Sequence, residues 1–149
     1  MSGTLGSEII DLAFVTIQDY KLDKLFRASK PDWEKVVMGY LRRAIPLFNN
    51  CKQPLDFNLI TGEFTSSLNI YEMDILASWF AYIWLEKVVN DLSQLSGTMT
   101  PNDFRRHSEA NNLKEKSEYK DRMREIASQK MTDYALIGMD WQNWGNTNV

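Results

Sequence analysis

The sequence predicts a mainly α-helical fold: a bundle of about four helices with a small β-hairpin and an extended C-terminal tail. Three observations predict it. Apolar residues recur at helical spacing over three long stretches. Alternation replaces that spacing only between Leu55 and Leu68. After Gly138 comes an aromatic segment too short to build a core of its own. One domain over residues 1–138 and a tail over 139–149 accommodate all of this, with no internal repeat and no low-complexity tract.

Ser7 ahead of Glu8-Ile9-Ile10 suits an N-cap, and Ile10, Phe14 and Ile17 follow at helical spacing, which makes a short first helix. The run Leu12-Ala13-Phe14-Val15 suits a buried strand as well, since so few residues cannot separate the two periods. The next element is clearer. Pro31 fits a first helical turn, Asp32 and Glu34 favour the positive end of a helix, and Trp33, Val36/Val37, Tyr40/Leu41, Ala44/Ile45 and Phe48 draw one continuous stripe. Pro46 removes a backbone donor near the end of this helix, so a kink or an early stop is expected around Arg42 to Ile45.

Leu55, Phe57 and Leu59 precede Thr61-Gly62, and Phe64, Ser66 and Leu68 follow it, which is the pattern of a β-hairpin. Two strands alone are marginal in water, so this hairpin must lie on helices or pair with another copy. Asn69 and Glu72 then form a capping-box-like pair at the head of a helix that runs to Leu95, with Ser96-Gly97 as its stop. Met73, Ile75, Leu76, Trp79, Phe80, Ile83, Trp84, Val88, Leu92 and Leu95 leave its middle almost without a polar side. A helix apolar all round is buried all round, and the remaining helices look too few to cover it. Thr100-Pro101-Asn102-Asp103 starts a fourth helix that extends to about Ala135. Its apolar stripe is narrow (Ala110, Leu113, Tyr119, Met123, Ala127, Met131, Tyr134), and Glu109/Lys116/Lys120 and Lys114/Glu118/Arg122 are rows of opposite charge suited to an exposed helix.

Composition bounds the chemistry. At 149 residues, 44% of them hydrophobic and 25% charged, the chain can bury a full core without metals or disulfides. Cys51 is the single cysteine and His107 the single histidine, so a Cys/His zinc site is excluded and a reducing compartment is expected. The first residues lack the basic-then-apolar order of a secretory signal. The longest uncharged apolar stretch, Ile75 to Leu85, falls well short of the ~20 residues that span a bilayer. Net charge is −3, and residues 105–131 carry 8 basic against 5 acidic groups, too weak a surplus for a duplex-binding footprint.

No Walker A loop, G-x-G-x-x-G, G-x-S-x-G or H-E-x-x-H motif occurs. His107 stands in the polar run Arg105-Arg106-His107-Ser108-Glu109, and a general base needs an enclosing site. Cys51, after Asn49-Asn50, has no partner motif and reads as a buried or incidental thiol. Glu72 and Asp74 lie two apart on a helix, on different faces, and suit helix N-terminal charges better than an acid/base dyad. No catalytic residue, metal or cofactor is expected. Trp33, Trp79 and Trp84 sit in apolar stripes as core. Trp141 and Trp144 stand in the tail, where large aromatics either anchor a partner or fold back on their own domain.

The order of these elements, with Ile75-Leu76-Ala77 and Trp84-Leu85-Glu86 on the hydrophobic helix and Ser108-Glu109-Ala110-Asn111-Asn112-Leu113-Lys114 on the charged one, resembles the small helical head-to-tail connector proteins of tailed bacteriophages. These are also called adaptor or head-completion proteins. The resemblance covers about Glu8 to Ala135 and lies in overall pattern and short helical stretches. It implies a homo-oligomeric ring, commonly of about twelve copies, beneath the portal protein in the virion neck, assembled in the host cytoplasm. Such a ring lengthens the DNA channel without sequence-specific binding and offers a docking surface to the next neck or tail protein. It also implies that the charged helix and the Trp141/Trp144 segment pack against the portal. Ring or partner contacts are then expected at Leu76, Phe80 and Trp84 within a Leu76-to-Val89 interface, at Phe57 and Phe64 on the hairpin, and at Leu113, Met123, Trp141 and Trp144. The alternative is a small helical phage or bacterial regulator that docks one helix in a partner's groove.

Overall fold

In the computed structural model, which describes residues 3–17, 20–98 and 103–137 and side chains at 3–17, 22–94 and 111–137, the ambiguous N-terminal run is helical. Helix α1 spans Gly6–Thr16. Ile9, Ile10, Ala13 and Ile17 are all buried on one side, whereas a strand would send Ile9 and Ile10 to opposite faces. The cap is Leu5 rather than Ser7: Leu5 is extended, and its backbone N–H donates to the Glu8 carboxylate at 3.3 Å.

Helix α2 (Tyr20–Ala28) has no counterpart among the sequence-based expectations. It is nine residues long, carries one fully buried apolar residue in its described part, Leu22, and leans on α3 (Lys30–Ala44) through Phe26, whose ring meets Trp33 edge-on at 5.1 Å. Ser29 caps α3, accepting from the Asp32 N–H, and Val37, Leu41 and Ala44 bury its inner stripe. The helix stops at Ala44 and tightens into the 3-10 turn Ile45–Leu47 around Pro46, as expected of a proline that lacks the donor for the next helical bond.

The hairpin is present but short. Strands β1 (Phe57–Asn58) and β2 (Glu63–Phe64) pair antiparallel with Phe57 opposite Phe64, their rings 4.8 Å apart. Gly62 turns the chain at φ +72, a region costly for a residue with a Cβ, and its N–H returns to the Asn58 carbonyl at 2.8 Å. The Asn58 side chain accepts from the Ile60 N–H at 2.8 Å, closing an Asx turn. The cover that two strands need comes from the chain's own N-terminus. Phe64 N–H donates to the Thr4 carbonyl, Thr4 N–H to the Ser66 carbonyl, and Leu68 N–H to the Thr4 hydroxyl at 2.7 Å. Gly6 lets α1 begin against this hairpin, since a Cβ there would stand 3.1 Å from the Phe57 ring and 3.2 Å from the Gly62 carbonyl.

Helix α4 (Ile70–Thr98) is the central element, and α1, α3 and α5 (Asp103–Leu136) all pack on it. Its predicted capping box is formed: Glu72 N–H donates to the Asn69 side chain at 2.9 Å and the Asn69 N–H to Glu72 Oε1 at 3.0 Å. The helix runs on through Ser96-Gly97, so that pair does not stop it. Ile75, Leu76, Phe80, Ala81 and Leu85 are sealed in the core with Trp79 and Trp84, and the narrow stripe of α5 closes over them through Met123, Ala127 and Tyr134.

Candidate functional site

The contacts expected between copies fall into two groups. Leu76 and Phe80 are 0% exposed and Trp84 is 4% exposed, all three enclosed by the chain's own helices. The expectation that the stretch from Leu76 to Val89 needs a second copy is therefore corrected for Leu76 to Leu85: α1, α3 and α5 pack on α4 there, and the long α5 covers the side that α1 and α3 leave open, while Val88 and Val89 stay half-buried. Phe64 and Met123 are also core, and Phe57 is half-buried against Phe64 and the start of α1. Leu113 is half-buried on α5. Trp141, Trp144 and the tail from residue 139 lie outside the described residues, as does the side chain of His107.

Surface apolar groups lie elsewhere. Ile60, at the hairpin tip beside half-exposed Leu59, is 96% exposed. Val15 on α1 is 85% exposed, with Leu12 one turn earlier also on the surface. Both positions carry a signal that periodicity passes over. Ile60 is a β-branched residue in a turn, where polar residues are the rule, and Val15 lies off the Ile10–Phe14–Ile17 stripe of its own helix.

Ile60 and Leu12 border two concavities that share no lining residue, and Val15 lines neither. One is a groove of about 650 Å³ between the hairpin tip and α3, walled by Leu59, Ile60, Leu5 and Met38, floored by Gly39, and edged by Glu34, Lys35 and Arg42. The other, of about 220 Å³, lies where α1, α4 and α5 meet, lined by Leu12, Ala77, Ala81, Met123 and Ile126 and closed at one end by Lys130. There Lys130 binds Asp74 at 2.9 Å and the Ser78 hydroxyl at 2.9 Å.

The densest polar cluster is structural in its chemistry. The Glu72 carboxylate is 0% exposed and accepts from the Asn69 N–H, the Gln53 amide at 2.6 Å, the Cys51 thiol at 3.1 Å and the Tyr134 hydroxyl at 3.2 Å. Burial alone would raise its pKa, but these donors together hold the carboxyl below its usual range. Burial first, and then the neighbouring carboxylate, push the Cys51 thiol up to about 11, and burial pushes the Tyr134 hydroxyl up to about 12. At neutral pH Glu72 therefore carries the charge, while Cys51 and Tyr134 keep their protons. A thiol so protonated is a poor nucleophile. The cluster instead ties three segments together: the 51–53 loop, the head of α4 and the foot of α5. Lys52 strengthens the tie, its N–H donating to the Tyr134 hydroxyl at 2.9 Å and its ammonium to the Ile137 carbonyl at 2.6 Å.

Beyond Leu85 on α4 and before Met123 on α5, the character of the helix pair changes. Described residues 86–94 and 111–122 are half-buried or exposed, none fully buried, so here the two helices cover little beyond each other. Val88, Val89, Leu92, Leu113 and Tyr119 are half-buried in this two-helix arm, and Lys116 reaches back over the Trp84 ring at 6.0 Å. Among the described residues no helix is long and apolar enough to cross a membrane. No family model, curated protein or solved structure matches the chain.

Proposed function

We propose that this chain is a non-catalytic structural subunit that joins copies of itself head to tail in a ring, and that the ring serves as a tailed-phage neck connector between portal and tail. One observation carries the assembly half of the proposal. A core that α1, α3, α4 and α5 close without help still leaves apolar groups in water at separate places, the most exposed being Ile60 at the hairpin tip and Val15 on the outer face of α1, with Ile70 and Tyr71 at the head of α4 exposed as well. A ring built from a heterologous contact needs two different patches on each protomer, where a two-fold dimer needs one. The neck assignment rests on the resemblance in element order, and the charged first half of α5 in the two-helix arm is the part that would meet a portal, while the chain continues into the tail from the opposite end of α5, where Ile137 lies beside Lys52.

A ring subunit should appear as a large oligomer by mass photometry or sedimentation, alone or on its cognate portal. A monodisperse monomer that also ignores the portal would refute the proposal. The second reading, a small helical regulator that binds another protein, is favoured by the closed core, because no copy is needed to hide α4. It predicts a monomer or dimer at all concentrations, encoded away from portal and capsid genes.

A further inference from the structure

We propose, resting on the ring reading above, that the outer face of α1 in one copy docks into the groove between α3 and the hairpin tip of the next. Glu8, Asp11, Leu12 and Val15 stand at i, i+3, i+4 and i+7, one face of α1, and all four are exposed. The face pairs two apolar side chains with two acids, and α1 contains no Lys or Arg.

The groove is its complement. Lys35, Met38, Gly39 and Arg42 follow the same spacing along α3, so the apolar floor is bracketed by two exposed cations, with Glu34 the one acid among the lining residues. Leu59 and Ile60 supply the opposite wall. An acid-bearing helix face meeting a cation-bearing groove steers a partner and fixes its register, and seating an amphipathic helix in an apolar groove is a recurrent recognition mode.

Gly39 supplies an independent observation. It sits in the middle of α3, where glycine weakens a helix relative to alanine. Nothing among the described residues requires it, because a Cβ built there would meet none of their atoms within 4 Å outside its own turn of helix. Gly62 and Gly6 both have reasons inside the fold; the bare floor at Gly39 has one only if another backbone comes close. A helix crossing at that point is what an absent side chain permits. Because donor face and groove are different surfaces of one protomer, each docking leaves a free face and a free groove, and the contact propagates until it closes.

Three variants of the full chain test this, read by sedimentation velocity over a concentration series. Asp11→Lys alone and Lys35→Glu/Arg42→Glu alone should each weaken self-association at least about tenfold, since like charges then face each other. An equimolar mixture of the two should assemble again, because one chain offers a wild-type groove to a wild-type α1 and the reversed pair is complementary. A variant that merely unfolds cannot be rescued in this way. Gly39→Trp should abolish assembly while melting no lower than wild type. If the wild-type chain forms oligomers that all these variants leave intact, the contact lies elsewhere and the ring reading survives. If the wild-type chain stays monomeric with and without a portal, both fail.

Discussion

Replacing Glu72 probes how the fold is held at the junction of α4, α5 and the 51–53 loop. In Glu72→Ala the Asn69 N–H, the Gln53 amide, the Cys51 thiol and the Tyr134 hydroxyl all lose their common acceptor at a position with no exposure. A hydrogen bond to a charged group contributes about 1.5–3 kcal/mol, and loss of a cap about 1 kcal/mol. Half-exposed Gln53 can turn to water, so the four bonds are not additive, and a loss of about 3–4 kcal/mol is expected in urea unfolding at neutral pH. Glu72→Gln keeps the volume and one acceptor oxygen for Asn69 and Gln53, so it should lose about 1–2 kcal/mol. The charge dependence gives a second handle. Because the native carboxyl titrates below the ordinary 4.5, the unfolded chain takes up the proton first as pH falls. The contribution of the charge is thus complete above 4.5 and disappears as pH drops through the lowered native value. The gap between wild type and Glu72→Gln should be widest at neutral pH and narrow in acid. An alanine variant within about 0.5 kcal/mol of wild type, or a glutamine gap unchanged in acid, would refute the assignment of Glu72 as the hub.

Cys51 should react with a thiol reagent at neutral pH about 100-fold more slowly in the native chain than in urea, given a native pKa of about 11 against 9.0; equal rates would contradict the buried thiol. The same shift implies stability that is intact below pH 9.0 and declines as pH rises toward 11, visible as a falling melting temperature. Two glycines should respond in opposite directions: Gly62→Ala should cost about 1–2 kcal/mol for its φ of +72, while Gly39→Ala should add up to about 1 kcal/mol to the isolated subunit. Trp84→Ala should destabilise the monomer by about 3–5 kcal/mol, whereas Val15→Ser should move it by no more than about 0.5 kcal/mol; chemical denaturation of each separates a core residue from a surface one.

The parts of the fold that a short stretch of chain determines by itself could be read from the sequence. The helix that begins around Pro31 carries its first-turn proline, its acids and its stripe within one element, though its cap, Ser29, is not part of that pattern, and Asn69 with Glu72 forms its box across three residues. The hairpin was legible in the alternation about Thr61-Gly62, but not its register, which pairs Phe57 with Phe64 across the four-residue loop 59–62. Helix α2 escaped because its nine residues have little inner face and its docking, through Leu22 and Phe26, depends on a partner distant in pattern though near in sequence. The apolar middle of α4 misled for the converse reason: hydrophobicity states how much must be hidden and is silent on what hides it. Here α1, α3 and α5 do so, and the two most exposed large apolar groups among the described residues, Ile60 and Val15, lie where the periodic stripes do not point. The Cys51–Glu72–Tyr134 cluster joins residues up to 83 positions apart, so no local pattern announces it.

The closed core changes what assembly of this subunit would involve. If α4 had been left open to a neighbour, folding and association would be one event, and an isolated copy would expose a greasy helix until it found its ring. With Leu76, Phe80 and Trp84 already covered, the free energy of folding is secured within one chain, and association can draw on a smaller, mixed surface. The contact proposed between α1 and the α3 groove would combine a few apolar groups with exchangeable charges, which would let copies correct their register before a ring closed. It also shifts the informative mutations. Truncating the tryptophans of α4 would abolish assembly by abolishing the subunit, and so would say nothing about the interface. Substitutions at Asp11, Val15, Gly39, Arg42 and Ile60 lie outside the buried core, so a loss of association in them would report on the contact itself.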